Sequence, residues 1–299
     1  MKNIKKLLSL TAAVVALGAI FTSCDSLFNG NGDGDTGTLT VWLTDAPFPA
    51  DLVAEANITI DSLDIREKDT EDETGAYTTL SREQGTYNLL DLRNGVKESL
   101  VELDIPEGTY NQVRLFVSDA EVVLMDGQEF PLQVPSGIRT GLKVFIRPDI
   151  VVENGITSEL LLDIDVSKSF VVQGPVSSQP WSRNDSIKGV LFKPVLRAVN
   201  QSVAGWLVGT VTDTSAAANP IPDAQVWVWS VEMDSVISNT FTDTLDPLTG
   251  DYQLIGLAAG FYTAYATVAD HDTVSFTDVE IKAATATEQD FVLTPLPEE

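Results

Sequence analysis

From Thr38 onward the chain alternates apolar and polar residues in short runs. Leu39, Val41 and Leu43 fall on one side of the first run and Ala56, Ile58 and Ile60 on one side of the next. Val113, Leu115 and Val117 follow, then Leu160, Leu162, Ile164 and Val166. A period of two is strand geometry, because successive side chains of an extended backbone point to opposite faces, and one apolar face marks a sheet buried on one side. Turn formers punctuate the runs at Pro106-Glu107-Gly108, Asp126-Gly127 and Asn154-Gly155. One short helix is predicted over residues 89–100, with Leu90, Val96 and Leu100 inward, although Gly95 weakens it. Strands dominate, so the segment reads as a sandwich-like domain of about 160 residues.

The same alternation resumes beyond a short connector at residues 200–204. Ala224, Val226 and Val228 take the inward positions, which turns Trp227 and Trp229 outward together. In a later run Tyr262, Ala264, Ala266 and Val268 face in and Tyr265 faces out. Two outward indoles at i and i+2 make an apolar strip of a kind that stacks on sugar rings or receives a partner protein. The alternatives are packing against the first domain, or a register shifted by one residue that buries both. Trp42, outward from Leu39, Val41 and Leu43, fits either reading.

Five motifs run in order through the first segment: GTLTVWLTDAP at 37–47, IPEGTYNQVRL at 105–115, VPSGIRTGLKV at 134–144, LLLDIDVSKS at 160–169 and FKPVLR at 192–197. On them, residues 37–199 resemble the bacterial family known as domain of unknown function 4382. The resemblance implies a β-sandwich on exported proteins, often lipoproteins, and implies no activity. Residues 205–295, through GWLVGTVTD, NPIPDAQVWVW, TGDYQLIGLAAGFYTAYATV and ATATEQDFVL, resemble the carboxypeptidase regulatory-like domain, a small sandwich of transthyretin-like shape. That resemblance implies an accessory module, not a catalyst. The expected fold class is therefore all-β, with two β-sandwich domains (immunoglobulin-like and transthyretin-like) in tandem.

The start of the chain adds a destination. Lys2, Lys5 and Lys6 precede an apolar stretch over residues 7–21, which runs into Thr22-Ser23-Cys24-Asp25. This is the layout of an export signal, and the stretch is shorter than the roughly 20 residues a membrane-spanning helix needs. Cys24, the only cysteine of 299 residues, sits where a lipoprotein signal peptidase would cut. Residues 1–23 are expected to be a lipoprotein signal peptide, with Cys24 as the lipid-modified (palmitate-bearing) N-terminus and residues 24–36 as a Gly/Asn/Asp tether. The expected place is the cell envelope, lipid-anchored at the outer membrane, with surface exposure as one option. With one cysteine there is no intrachain disulfide and no thiolate zinc site.

A formal net charge of −26 repels nucleic acid and anionic lipid headgroups, so the expected partners are the membrane through the lipid, and a glycan or envelope protein. No cofactor is expected; calcium is the one ligand class such a surface favours. Asn29, Asn31, Asp33 and Gly34 imitate the front of a calcium loop, but its twelfth position is Thr40 in place of Glu. Asp35-Thr36-Gly37 matches the aspartic-protease triplet without the apolar strand that should precede it.

Catalytic sets are incomplete. His271 is the only histidine and falls in a turn-like ADHDT. Asp163 and Asp165, about 7 Å apart by strand geometry on the outward face of their run, leave three readings. They pair with Lys168 or an arginine, hold a calcium-type cation, or act as an acid pair in hydrolysis. Asp45 reads as a turn-capping acid at a strand end. The tripeptide of Asp, Ser or Thr and an apolar residue, which resembles an O-glycan acceptor, occurs at Ser26, Ser62, Ser186, Ser235, Thr244 and Thr273. Ser186, Ser235 and Thr244 stand in polar stretches where acceptors would be reachable. The function expected is a non-catalytic lipoprotein that binds or positions a glycan or protein. A structural spacer and an acid-only hydrolase are the alternatives.

Overall fold

A computed structural model describes residues 35–46, 53–68, 76–134, 140–173, 188–215, 217–243 and 248–297. Its strands are β1 (Thr36–Ala46), β2 (Val53–Glu67), β3 (Tyr77–Ser81), β4 (Gly85–Asn88), β5 (Glu98–Pro106) and β6 (Gly108–Leu124). There follow β7 (Glu129–Leu132), β8 (Leu142–Val152), β9 (Thr157–Asp165), β10 (Phe170–Gln173), β11 (Gly189–Phe192) and β12 (Leu196–Asn200). Ten of these twelve form one sheet in the order β3-β2-β6-β8-β12-β9-β1-β5, with β4 also beside β2 and β7 beside β6. The sheet folds over on itself, and β8 joins its halves, antiparallel to β6 on one edge and parallel to β12 on the other.

One core lies between the halves. Leu39, Val41 and Leu43 of β1 and Leu160, Leu162 and Ile164 of β9 meet Ile58 and Ile60 of β2 and Val113, Leu115 and Val117 of β6. The period-two sets of the sequence are thus the inner faces of a sandwich. In β2 register shifts around Ile60 and Ser62 move the buried phase from Ile58 and Ile60 to Leu63 and Ile65.

The helix expected over residues 89–100 does not form. Leu89–Leu92 make a single 3-10 turn whose N-terminus is capped by the Asn88 side chain, which accepts from Leu90 N–H. Asn94 and Gly95 then take positive φ (57° and 78°), which ends any helical path, and Glu98 opens β5. Val96, expected inward, is 50% exposed. Thr44 Oγ1 donates to the carbonyls of Leu92 and Val96 and pins this turn to β1.

The second half contributes β13 (Gly205–Asp213), β14 (Gln225–Ser230), β15 (Ser235–Phe241), β16 (Asp251–Leu257), β17 (Gly260–Thr267), β18 (Val274–Ile281), β19 (Ala286–Glu288) and β20 (Phe291–Leu293). They form two four-stranded sheets, β15-β14-β17-β18 and β16-β13-β19, with β20 also paired to β13. Val226, Val228, Ala264 and Ala266 from the first sheet meet Leu207, Val211, Tyr252 and Leu254 from the second. Gly209 permits the crossing of the chain end over β13: a Cβ there would lie 2.0 Å from the Gln289 carbonyl oxygen.

The two sandwiches share a closed seam and make one compact unit. Leu161 and Val199 on the outer face of the first pack on Ala204 and Ile255, flanked by half-buried Trp42 and Trp206. Asn94 Oδ1 accepts from Gln253 N–H at 2.6 Å, and Gln201 N–H donates to the Glu159 carbonyl. Both faces of β9 are consequently buried from Leu160 to Ile164.

Candidate functional site

The aromatic residues of the second sandwich follow its strand register. Trp227 of β14 pairs with Tyr265 of β17, and Trp229 pairs with Thr263. Ala224, Val226 and Val228 are fully buried below them, while Trp227, Trp229 and Tyr265 remain half-buried on the outer face. The Trp227 and Tyr265 rings stack with centroids 5.0 Å apart and planes 5° from parallel. Each ring therefore spends one face on the other. Neither Trp227 nor Trp229 belongs to the seam cluster, which draws on Trp42 and Trp206. Trp42 is committed there: its indole N–H donates to Glu159 at 3.0 Å and Lys97 Nζ lies 4.1 Å from its ring centre. Tyr262, inward, donates from its hydroxyl to the Ala258 carbonyl, and burial pushes its phenol upward from the ordinary range.

The acidic pair of β9 is divided between two jobs. Asp163 points away from the core of the first sandwich yet is 4% exposed. Arg197 Nε and Nη2 both approach its Oδ2, at 2.7 and 2.6 Å, while Nη1 donates to the Gly256 carbonyl at 2.7 Å. Asp165 caps the single helical turn α1 (Val166–Ser169), accepting from Lys168 N–H and from Ser167 Oγ, and pairs with Lys168 Nζ at 2.7 Å. Away from the core of its own sandwich, Asp163 therefore lies against Arg197 and not in open solvent. Among the described residues no group of three or more His, Cys, Asp or Glu side chains is arranged to hold a metal ion.

In place of the turn cap expected at Asp45, the structure gives this carboxylate a buried setting. It is buried at the end of β1, where Oδ1 accepts from Val166 N–H at 3.3 Å and Oδ2 has no hydrogen-bond partner. Burial, then the charges of Asp163 and Asp165, push its carboxyl well above the usual carboxylate range; the Val166 N–H and Arg93 act the other way. A raised folded-state pKa means the folded protein binds the extra proton, so stability rises as the pH falls through that pKa toward the ordinary value near 4. Asp45→Asn is therefore expected to be at least as stable as the parent at pH 7.5 and to lose this advantage by pH 5. Urea unfolding at the two pH values measures the difference, and a constant gap between variant and parent would contradict the assignment.

His271 sits in its turn with Nδ1 3.0 Å from the Ala269 carbonyl oxygen. Of the acceptor candidates Ser235 opens β15, half-buried, whereas Ser186, Thr244 and the lipidation residue Cys24 lie outside the described residues.

One recess escaped the sequence reading. A cleft of about 550 Å³ opens beside the seam, between the outer face of β8 and β12 and the residues around the start of β15. Lys143, Phe145 and Arg147 form its near wall, with Arg197 deeper and Met233, Val236 and Ile237 opposite. Lys143 and Arg147 are exposed, and Phe145 between them is 54% exposed. The available signal was the alternation of Lys143, Phe145 and Arg147 against Val144 and Ile146, which turns a phenyl ring and two cations outward together.

The fold and these surfaces define an all-β protein of two sandwiches. Residues 36–179 match the family described as a domain of unknown function (DUF4382). The matched stretch ends before β12, the strand that fills the middle of the sheet. No curated protein matches the sequence. Among solved structures, the Bacillus anthracis TIE protein is 14% identical over 87% of this chain, with a TM-score of 0.25. The chain spans 34% of that protein's length. The minor pilin GBS52 of Streptococcus agalactiae is 10% identical over 87% of this chain and 97% of its own, TM-score 0.25. BcpA, the major pilin subunit of Bacillus cereus, is 11% identical over 87% of this chain and 71% of its own, TM-score 0.26.

Proposed function

We propose that this chain is a non-catalytic envelope lipoprotein, held by a lipid on Cys24, which binds or positions a glycan or protein partner at the membrane surface. The observation that carries the reading is the half-buried strip of Trp227, Trp229 and Tyr265 on the outer face of the second sandwich. Aromatic rings left at a surface, when the seam already has its own tryptophans, offer a partner area that costs little conformational entropy to order. The acids that a hydrolase would need are otherwise engaged, Asp163 by Arg197 and Asp165 by Lys168.

Glycan arrays and envelope pull-downs with the full chain test the reading. Trp227→Ala combined with Trp229→Ala is expected to weaken capture at least tenfold, as loss of an aromatic anchor does. Equal capture by parent and variant would sink it. That outcome would favour a spacer subunit, a reading supported by the closed seam that fixes one sandwich on the other.

A further inference from the structure

We propose that the aromatic strip binds protein and not glycan, because it continues past Trp229 into an apolar tip at Val231, Met233 and Phe261. The tip receives an apolar segment of a partner protein that carries lysine or arginine beside its apolar anchors. The inference rests on the strip being a binding surface and names its occupant.

The strip does not stop at the tryptophans. Trp229 and Thr263 are the last pair of the ladder between β14 and β17. Val231 lies two residues past Trp229 and Phe261 two residues before Thr263, so the antiparallel strands bring both to the same end of the sheet. Phe261 precedes the inward Tyr262, which puts its own ring on the outer face with Trp229. The turn between β14 and β15 holds Met233, whose N–H donates to Ser230 Oγ at 3.2 Å. Glu232 of the same turn lies near enough to Tyr262 for its charge to add, after burial and against Arg197, to the rise of that phenol. Val231, Met233 and Phe261 are 75%, 60% and 65% exposed. One exposed apolar residue is ordinary, but three at one end of a sheet, continuous with two half-buried indoles, form a patch of the kind that marks an interaction site.

This end lacks what a sugar needs. Val231 and Met233 offer no aromatic face to a sugar ring and no strong donor or acceptor to its hydroxyls, whereas apolar side chains pack on them well. The bilayer that would hold the lipid lies toward the other end of the molecule. β1 runs parallel to β9 from Thr38 beside Thr157 to Ala46 beside Asp165, and Asp165 lines the same cleft as Met233. At about 3.3 Å per residue the tip therefore stands roughly 26 Å from the end of β1 that receives the tether.

Charge selects further among proteins. Glu232 and Asp234 flank Met233, and Glu280 pairs with Phe261 across the ladder. Lys282, the one lysine or arginine of residues 205–299, lies 3.5 Å from Glu280. A second copy would set these acids against its own in a chain of net charge −26, whereas lysine or arginine on a partner answers them. Lys143 and Arg147 stand across the cleft from Met233, which places the partner's cations toward Glu232 and Glu280.

A fluorescent ten-residue alternating Lys-Leu peptide, titrated into the full chain at physiological ionic strength and followed by anisotropy, tests this. Saturable binding is expected, weakened at least tenfold by Val231→Ser, Met233→Ser and Phe261→Ser together, and likewise by Trp227→Ala with Trp229→Ala. The three serine positions are exposed, and near-ultraviolet circular dichroism verifies that the variant is folded. Glu232→Gln with Asp234→Asn is expected to weaken binding and to flatten its salt dependence. Absence of binding overturns the inference, as does equal binding of a Glu-Leu peptide. Loss in the tryptophan variant without loss in the serine variant overturns it while leaving the strip a binding surface; binding that neither variant alters overturns both readings. Tighter binding of cellohexaose or of phosphatidylcholine vesicles through the same residues overturns it by making the strip a sugar or lipid site. A concentration-dependent dimer in sedimentation velocity that the serine variant abolishes overturns it in favour of a second copy.

Discussion

Replacing Arg197 with methionine is expected to lower the unfolding free energy by about 3–5 kcal/mol, the cost of leaving a buried charge without its partner. The side chain of Asp163 is 5% exposed and that of Arg197 28%, so the pair lies largely beyond the screening that makes surface ion pairs weak. Arg197 also ties the carbonyls of Gly256 and Ile255 to the first sandwich, and the substitution removes those donors as well. Removing both charges, with Arg197→Met and Asp163→Leu together, is expected to recover most of the loss, because the desolvation cost disappears with the ions. Urea unfolding followed by circular dichroism measures both variants. A single-substitution loss below about 1 kcal/mol, the range of an exposed pair, would mean that water reaches Asp163.

Leu161→Ala is the second large effect, expected at about 2–5 kcal/mol from lost transfer energy and the cavity left behind. Leu161 is fully buried even though it lies on the face of β9 turned away from the core of the first sandwich. Its neighbours are Val199, Ala204 and Ile255, and a Cβ added at Gly256 would come within 2.8 Å of its Cδ2. If the sandwiches were beads on a loose linker, this leucine would be a surface residue and its truncation would change stability by no more than about 0.5 kcal/mol. The measurement thus reads the seam directly. A small effect would show that the two sandwiches part in solution.

Much of the architecture was legible because alternation reports which residues face the nearest core. The inner faces at Leu39, Val41 and Leu43, at Val113, Leu115 and Val117, and at Val226 and Val228 lie where the period-two pattern puts them. Alternation cannot report a second layer arriving from elsewhere in the chain, so the outward position of Asp163 does not disclose its burial. The near-continuous apolar run Leu160-Leu161-Leu162 carried the missing information, since strands covered on both faces lose their alternation. The leucines near residue 90 imitated a helical face, but a 3-10 turn followed by a left-handed pair and a strand produces the same spacing. Asp45 was hidden for a related reason: its burial comes from α1, which is distant in sequence. The cleft joins β8 to the start of β15, and no local pattern connects those two segments.

The position of β12 bears on how the protein is made. This strand, at Leu196–Asn200, lies between β8 and β9 and, among the described strands, is the one that pairs with both. β1 in turn waits for β5 and β9, its partners on either side. Pairings this distant in the chain are slow to form, because the intervening segment must lose its freedom before any contact rewards it. The first sandwich therefore stays open until the chain has emerged past residue 200, and the strand that seals it leads directly into the second sandwich.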